Sequence, residues 1–350
     1  MQAITAKLYN KSISTLSRYM SRAVILIYHR TISLQSDPQM LAVSPERFDE
    51  HMDILARYYN PVPLEELCSQ VERGKVIPRS VAVTFDDGYE DNFLHARPIL
   101  EKYSVPATVF VATGYVGEEK EFWWDEIERL LLVDQKPAMF LGDKKDSVES
   151  CSESCNRGEV REIMGGKNDA LPWNVLSSEA PTIQQELHLY LCKRFQSMAS
   201  EQIEDALGEL RKWIGKDAAA RKSHRPMTID QVSNLANGGL IDVGAHTRSH
   251  VNLAAQAPEI QRKEIAGSKK DLEEWLGREV TSFSYPFGTR QHYNKDTVRL
   301  TRESGFQMST ANYAGCVTRL SNRFELPRRI IRDWDGNEFD RRLRGFLSGR

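Results

Sequence analysis

Val81-Ala-Val-Thr-Phe-Asp-Asp-Gly-Tyr89 is an apolar run that stops at two carboxylates and a glycine. An unbroken apolar stretch of this length, bounded by a turn signal, is the pattern of a strand buried on both faces. Such strands belong to parallel sheets. Comparable segments are Ala23 to Tyr28, Ala107 to Ala112, Leu240 to Ala245, Ser282 to Tyr285, Gln307 to Thr310 and Leu326 to Ile331. Helical patterns separate them. Ser44 is placed to cap a helix that starts at Pro45 and carries Phe48, Met52 and Leu55 as its apolar stripe. Thr228-x-x-Gln231 forms a capping-box pattern, Asn237-Gly238 can end that helix, and another helix ends near Gly305. The alternation predicts an α/β fold built on a parallel sheet or barrel of about seven strands, with functional residues at the C-terminal strand ends.

Residues 120–225 interrupt the alternation. Lys, Ser, Glu, Asn and Gly dominate until Leu187, after which Ile203, Leu207, Leu210 and Ile214 mark an amphipathic helix. This is an inserted, mostly helical lobe that leaves after the strand ending at Ala112 and returns before the one ending at Ala245. It therefore belongs beside the functional face and is expected to shape access to it. Trp123 and Trp124, followed by Ile127, Leu130 and Leu131, read first as packing residues and second as a stacking surface for a sugar ring. The division is a basic amphipathic segment over 1–22 and one catalytic domain over 23–350, interrupted by the insertion.

The 350 residues are 40% hydrophobic, enough for a large single core. A net charge of -2 argues against a broad nucleic-acid surface. Five cysteines, an odd count without a CxxC pair, argue against a disulfide framework or a four-cysteine zinc site. Cys151 and Cys155 read as free thiols, with an accessory metal clip as the alternative. Residues 1–22 carry Lys7, Lys11, Arg18 and Arg22, no acidic residue, and Tyr9, Ile13, Leu16 and Met20 at helical spacing. A helix of this kind suits peripheral contact with an anionic membrane face and equally suits capping the barrel floor. No apolar stretch there is long enough for a secretion signal, so the expected location is cytoplasmic, with the inner membrane face as an option. Oligomeric state is left open.

His246-Thr-Arg-Ser-His250 supplies two imidazoles that share a face if one helical turn links them. With one carboxylate from Asp86-Asp87 they make a three-ligand set that leaves coordination positions open, the pattern of a catalytic divalent-metal site. Zinc suits these donors best; cobalt, nickel or iron could take the same set. Asp-Asp-Gly alone would be a turn, or a magnesium site of a phosphotransferase, and the histidine pair weighs against both.

Thr84-Phe-Asp-Asp-Gly88, His246-Thr-x-x-His250 and Phe283-Ser-Tyr-Pro-Phe-Gly288 together, in that order, resemble the motifs of polysaccharide deacetylases of the NodB-homology type, carbohydrate esterase family 4. The resemblance spans roughly residues 20 to 335, interrupted by the insertion, and implies that the α/β fold is a distorted (β/α) barrel of about seven parallel strands. It implies that Asp87, His246 and His250 hold the metal, that Asp86 is the general base, and that a backbone N–H near Phe287 completes an oxyanion hole. Two positions depart from the family pattern. The third motif carries Ser284 and Phe287 in place of Arg and Tyr, and Arg328, near Trp334 after the last strand, is the candidate to replace the missing guanidinium, with Trp334 a candidate substrate-binding residue; an exposed basic pair is the alternative. No histidine follows His292, so the late acid histidine is absent. Ile25-Leu-Ile-Tyr-His29 instead resembles the Tyr-His signature of the branch that includes poly-N-acetylglucosamine deacetylases, making His29 the expected general acid. His51, His95, His188, His224 and His292 read as structural.

Three functions follow from the resemblance. The first is N-deacetylation of an N-acetylated sugar in a polysaccharide, oligosaccharide or glycan precursor. The second is O-acetyl ester or other amide hydrolysis on the same scaffold. The third is carbohydrate binding by a disabled site.

Overall fold

The computed structural model describes residues 21–133, 173–176 and 182–348. The basic segment up to residue 20, with Cys151 and Cys155, lies outside the described residues. Among those described, Cys68, Cys192 and Cys316 are free thiols, and no helix is long and apolar enough to cross a membrane.

Strands β1 (Val24–Tyr28), β2 (Ser80–Phe85), β3 (Ala107–Val111), β4 (Ile241–Ala245), β5 (Ser282–Ser284), β6 (Met308–Thr310) and β7 (Arg329–Ile330) pair in the order β7-β1-β2-β3-β4-β5-β6, every ladder parallel. A two-residue strand, Asn60–Pro61, adds to the start of β2. The ends of the sheet approach through a parallel bridge between Thr310 and Leu326, where Leu326 N–H donates to Ser309 at 3.0 Å. The result is a distorted barrel, its closure made by short strands and single bridges.

Strand alternation divides the buried side chains into two layers. Val24, Leu26, Tyr28, Val81, Val83 and Phe85 face outward and pack under the surrounding helices. Ile25, Ala82, Phe110, Met308 and Leu326 form the barrel interior, together with Leu64, Leu67 and Val71 of the helix Leu64–Glu72. Ala82, Thr84 and Asp86 share one side of β2, so the strand that fills the lumen with a methyl group also delivers a carboxylate to its mouth. On β4, Gly244 leaves room for Phe110, whose ring carbons lie 2.6 Å from where a Cβ would stand.

Helix α1 (Pro45–Tyr58) buries Phe48, His51, Met52 and Leu55, extending the expected stripe by one histidine. Ser44 precedes it, yet its hydroxyl does not cap: it donates to Asp333 at 2.8 Å, tying the helix start to the loop after β7. The capping box at Thr228 and Gln231 is present on the helix Ile229–Asn237, and Gly305, with φ of 86°, ends the turn after the helix Lys295–Glu303.

The described parts of the insertion are helical: Trp123–Glu128, a π-turn over Arg129–Val133, Ile183–Phe195 and Ser200–Ile214. Ile203 and Leu207 are buried and Leu210 and Ile214 pack at the edge of a separate apolar cluster that also takes Tyr89, Trp123, Trp124 and Phe287. Ion pairs stitch the lobe together: Arg221 reaches Glu121 and Glu128, and Arg211 reaches Glu126.

Candidate metal centre and its carboxylate neighbour

Asp86 and Asp87 leave β2 in different directions. Asp86 N–H still donates to the Tyr28 carbonyl at 3.1 Å, continuing the ladder to β1, so its side chain keeps the lumen direction of Ala82 and Thr84. Asp87 turns into the left-handed region at φ 75°, followed by Gly88 at φ 88°. A non-glycine residue there carries backbone strain of about 1–3 kcal/mol, a cost typically found at functional sites. The turn is closed by Gly88 N–H donating to the Asp86 carbonyl and Ala112 N–H donating to that of Asp87.

His246 and His250 do not lie on a helical turn, contrary to the expectation from their spacing. The segment is an irregular loop with Thr247 at φ 62° and His250 at φ 52°. What replaces helical hydrogen bonds is a set of side-chain anchors from the helix Pro258–Leu276. Glu264 accepts the N–H groups of Arg248 and Ser249 at 2.9 Å each, and Arg248 pairs with Asp271. His250 N–H donates to Thr247 Oγ1 at 3.0 Å. The two imidazoles nevertheless converge, with ring centroids 4.9 Å apart.

Asp87 Oδ1 lies 3.3 Å from His250 Nε2 and 3.6 Å from His246 Nε2, and the three donor atoms lie within 4.8 Å of one another. The Asp87 side chain is 2% exposed, and among the described residues Oδ1 has no hydrogen-bond donor. An orphaned buried carboxylate oxygen is costly unless a cation or donor completes it. A borderline-soft divalent ion taking two nitrogens and one oxygen fits this set. Burial pushes the His246 pKa down to about 4, reinforced by His250 and opposed by Asp86 and Asp87, so the imidazole is neutral at pH 7. Its Nδ1–H donates to the Ser284 carbonyl at 2.8 Å, which turns the Nε2 lone pair toward Asp87.

Asp86 is committed elsewhere. Arg328 Nη1 and Nη2 donate to its two oxygens at 2.7 and 2.6 Å, and Ser284 Oγ donates to Oδ2 at 3.2 Å. Arg328 is 1% exposed, inside the barrel, with further bonds to Ser284 Oγ at 2.8 Å and Thr84 Oγ1 at 3.3 Å. It is therefore not an exposed basic residue: from the position just before β7 it places a guanidinium on both oxygens of Asp86. Burial works to raise the Asp86 pKa, but the Arg328 pair outweighs it and holds the carboxyl well below the usual range.

His29 directly follows β1, partly exposed, its carbonyl accepting from Asn92 Nδ2 at 2.8 Å. Burial lowers its pKa against the pull of Asp87 and Asp86. Phe287 sits at φ 59° in the turn after β5, its ring 4.7 Å from that of His250, and among the described residues nothing accepts its N–H. Trp334 is turned to other partners: its indole lies under Arg342 at 4.4 Å and its carbonyl accepts from His51 at 2.8 Å. Trp123 and Trp124 are 3% and 5% exposed, which is packing rather than an open stacking face. Of the remaining histidines, His51 bonds Tyr28 and Trp334, His95 bonds the Thr31 carbonyl, His188 packs on Trp173, and His292 bonds Thr289. His224 bonds Ser223 and lies in a second buried group with Asp125 and Glu128 that spacing alone gave no means to find.

A family model described as polysaccharide deacetylase matches residues 73–133 and 211–309, leaving residues 134–210, the middle of the insertion, between its halves. A Bacillus subtilis protein named for polysaccharide deacetylase, YxkH, is 23% identical over 318 residues, covering 90% of this chain and 74% of that protein. Poly-beta-1,6-N-acetyl-D-glucosamine N-deacetylase of Staphylococcus aureus is 34% identical over 110 residues, which span 28% of this chain and 38% of that enzyme. Among solved structures, Streptococcus pyogenes deacetylase PplD superposes with a TM-score of 0.56 at 16% identity over 92% of this chain and 98% of that one. IcaB from Ammonifex degensii gives 0.56 at 17% identity over 93% and 97%. At these identities the superpositions show the fold.

Proposed function

We propose that this chain, which belongs to the polysaccharide deacetylase family, is a divalent-metal hydrolase that removes N-acetyl groups from an N-acetylated sugar in a polysaccharide or glycan precursor. The observation that carries the reading is the split of two adjacent carboxylates. Asp87 offers an unpartnered oxygen between two converging imidazoles, while Asp86 is held apart by Arg328.

Asp87, His246 and His250 would hold the ion, zinc by preference, which supplies Lewis acidity toward the acetyl carbonyl and acidifies the attacking water. Asp86 accepts that water's proton. Arg328 fixes the plane of the carboxylate and keeps it ionised at some expense of basicity; Oδ2 also takes the Ser284 hydroxyl, and Oδ1 retains a lone pair beyond the one bonded to the guanidinium for the water proton. The Phe287 N–H faces the developing oxyanion. His29 donates to the departing amine nitrogen; a lowered pKa makes its protonated form the stronger acid. This assigns the acid to the strand before the Asp-Asp motif, as the Tyr-His resemblance suggests.

The test is acetate release from matched N-acetylated and O-acetylated oligosaccharides by zinc-loaded protein. Release from the N-acetylated member supports the proposal. Release from the O-acetylated member alone replaces it with ester hydrolysis, and oligosaccharide binding without any release replaces it with a binding role.

A further inference from the structure

The two candidate metal-binding histidines are oriented by different means. His246 has the usual arrangement, its second ring nitrogen bonded to a carbonyl, Ser284. His250 lacks it: Nδ1 is buried and has no hydrogen-bond partner among the described residues. No hydrogen bond at Nδ1 thus fixes the far side of the ring against rotations that would swing Nε2 from its 3.3 Å contact with Asp87.

Aromatic walls take that place. The Trp124 ring centroid lies 4.6 Å from that of His250 at an interplanar angle of 59°, and Phe287 lies at 4.7 Å and 75°. Trp124 is itself pinned. Its Nε1–H donates to Tyr89 Oη at 2.8 Å, Tyr89 donates to Asp125 Oδ2 at 2.7 Å, and Phe122 stacks on the indole at 4.8 Å and 10°. Tyr89 is two residues beyond Asp87, so the same loop that carries the carboxylate carries the anchor of the indole. Arg221 clamps the helix from the far side, donating to the Asp125 carbonyl at 2.9 Å and to Glu128 at 2.7 Å.

We propose that Trp124, locked by Tyr89 and Asp125, is the positioning residue for His250, so that the root of the insertion is a structural part of the metal centre and not only a wall of the substrate groove. The inference rests on the metal-binding reading above. It makes metal affinity depend on a side chain that offers the ion no donor atom. Rigid aromatic faces suit this task, because a ring packed on two sides at van der Waals distance has little freedom to turn.

The test measures zinc affinity by competition with a chromophoric chelator, together with the visible spectrum of the cobalt-substituted protein and the melting temperature of the metal-free form. Trp124→Ala is expected to weaken zinc binding by about 10–100-fold, the usual scale for losing the support of a metal-bound histidine, and to change the cobalt spectrum. Trp124→Phe, which restores a face without the N–H, should recover most of the affinity, and Tyr89→Phe should lose a smaller part. A purely structural role would lower the apo melting temperature in Trp124→Ala with zinc affinity and cobalt spectrum unchanged in the folded fraction, and would overturn the proposal. If zinc binds wild type and is weakened by His250→Ala but not by Trp124→Ala or Trp124→Phe, this inference alone falls. If wild type takes up no zinc, the metal reading fails and the inference with it.

Discussion

Arg328 and Asp86, 242 residues apart in the chain, meet as a two-point ion pair inside the barrel, with N–O distances of 2.7 and 2.6 Å. The pair is sealed: Arg328 is 1% exposed and Asp86 3%. Two parallel charge-assisted bonds fix the carboxylate plane as a single contact could not. The guanidinium reaches this position because the bridge between Thr310 and Leu326 closes the barrel and sets the segment leading into β7 between β6 and β1, from which the Arg328 side chain extends to Thr84 of β2 and Ser284 of β5.

Removing the guanidinium leaves a buried carboxylate without compensation. Arg328→Ala is expected to cost about 3–5 kcal/mol of stability and to lower kcat/KM with zinc content retained. Arg328→Lys should restore part of the stability and little of the turnover, since a point charge cannot hold both oxygens. Denaturant titration beside steady-state kinetics checks this, and unchanged turnover in Arg328→Ala would remove the residue from the site.

Metal should stabilise the fold measurably. At free zinc a thousandfold above Kd the gain is about 4 kcal/mol, seen as a melting temperature that rises with added zinc and falls on chelation. His250→Ala should abolish most of the rise.

His51 gives a pH-dependent stability unrelated to the metal. It is fully buried, its Nε2–H donating to the Trp334 carbonyl and its Nδ1 accepting from Tyr28, and burial pushes its pKa down to about 4 against the pull of the Trp334 bond. The unfolded chain binds this proton near pH 6.5, so between pH 6.5 and 4 the unfolded state holds more protons and stability falls as pH falls, by about 1.4 kcal/mol per unit at most. Chemical denaturation of wild type and His51→Gln across this window should show a slope in the first that is reduced in the second.

Gly244 is a packing constraint two residues before His246. A Cβ there would stand 2.5 Å from Ser282 Oγ and 2.6 Å from the Phe110 ring. Gly244→Ala is expected to cost about 1–3 kcal/mol through overpacking and to weaken zinc binding by displacing the strand end, as calorimetry and chelator competition would report.

His29→Gln should keep zinc and lose most turnover. Loss of zinc in this variant, measured by metal analysis, would instead make His29 a ligand.

The strands Val24–Tyr28, Ser80–Phe85 and Ala107–Val111 were legible because each is a largely apolar, fully buried run, the mark of a parallel strand covered on both faces; the short strands Ser282–Ser284, Met308–Thr310 and Arg329–Ile330 were legible mainly from their place in the alternation with helices. The candidate ligand residues were legible as types, but the route by which His246 and His250 converge was not. Spacing of four residues suggests a helical turn, whereas Glu264 and Asp271, remote in sequence, hold an irregular loop that includes two left-handed residues. Arg328 could be reached only by asking where a missing guanidinium would come from. The Trp124–Tyr89–Asp125 support was invisible, because hydrogen bonds and ring faces between separate segments leave no periodic trace. Ser44 shows the same limit on a small scale: its type and place suit a cap, and a tertiary partner, Asp333, takes the hydroxyl instead.

The central claim is that Asp87 and two histidines build one metal site while Asp86 acts beside it. The most direct measurement is acetate release from an N-acetylglucosamine oligomer as zinc is titrated into chelator-treated protein, with Asp86→Asn alongside. The account predicts a rise that saturates at one equivalent in wild type, and no release at any zinc level in Asp86→Asn, although that variant binds the same equivalent. Release that is indifferent to zinc, or undiminished in zinc-loaded Asp86→Asn, would contradict it.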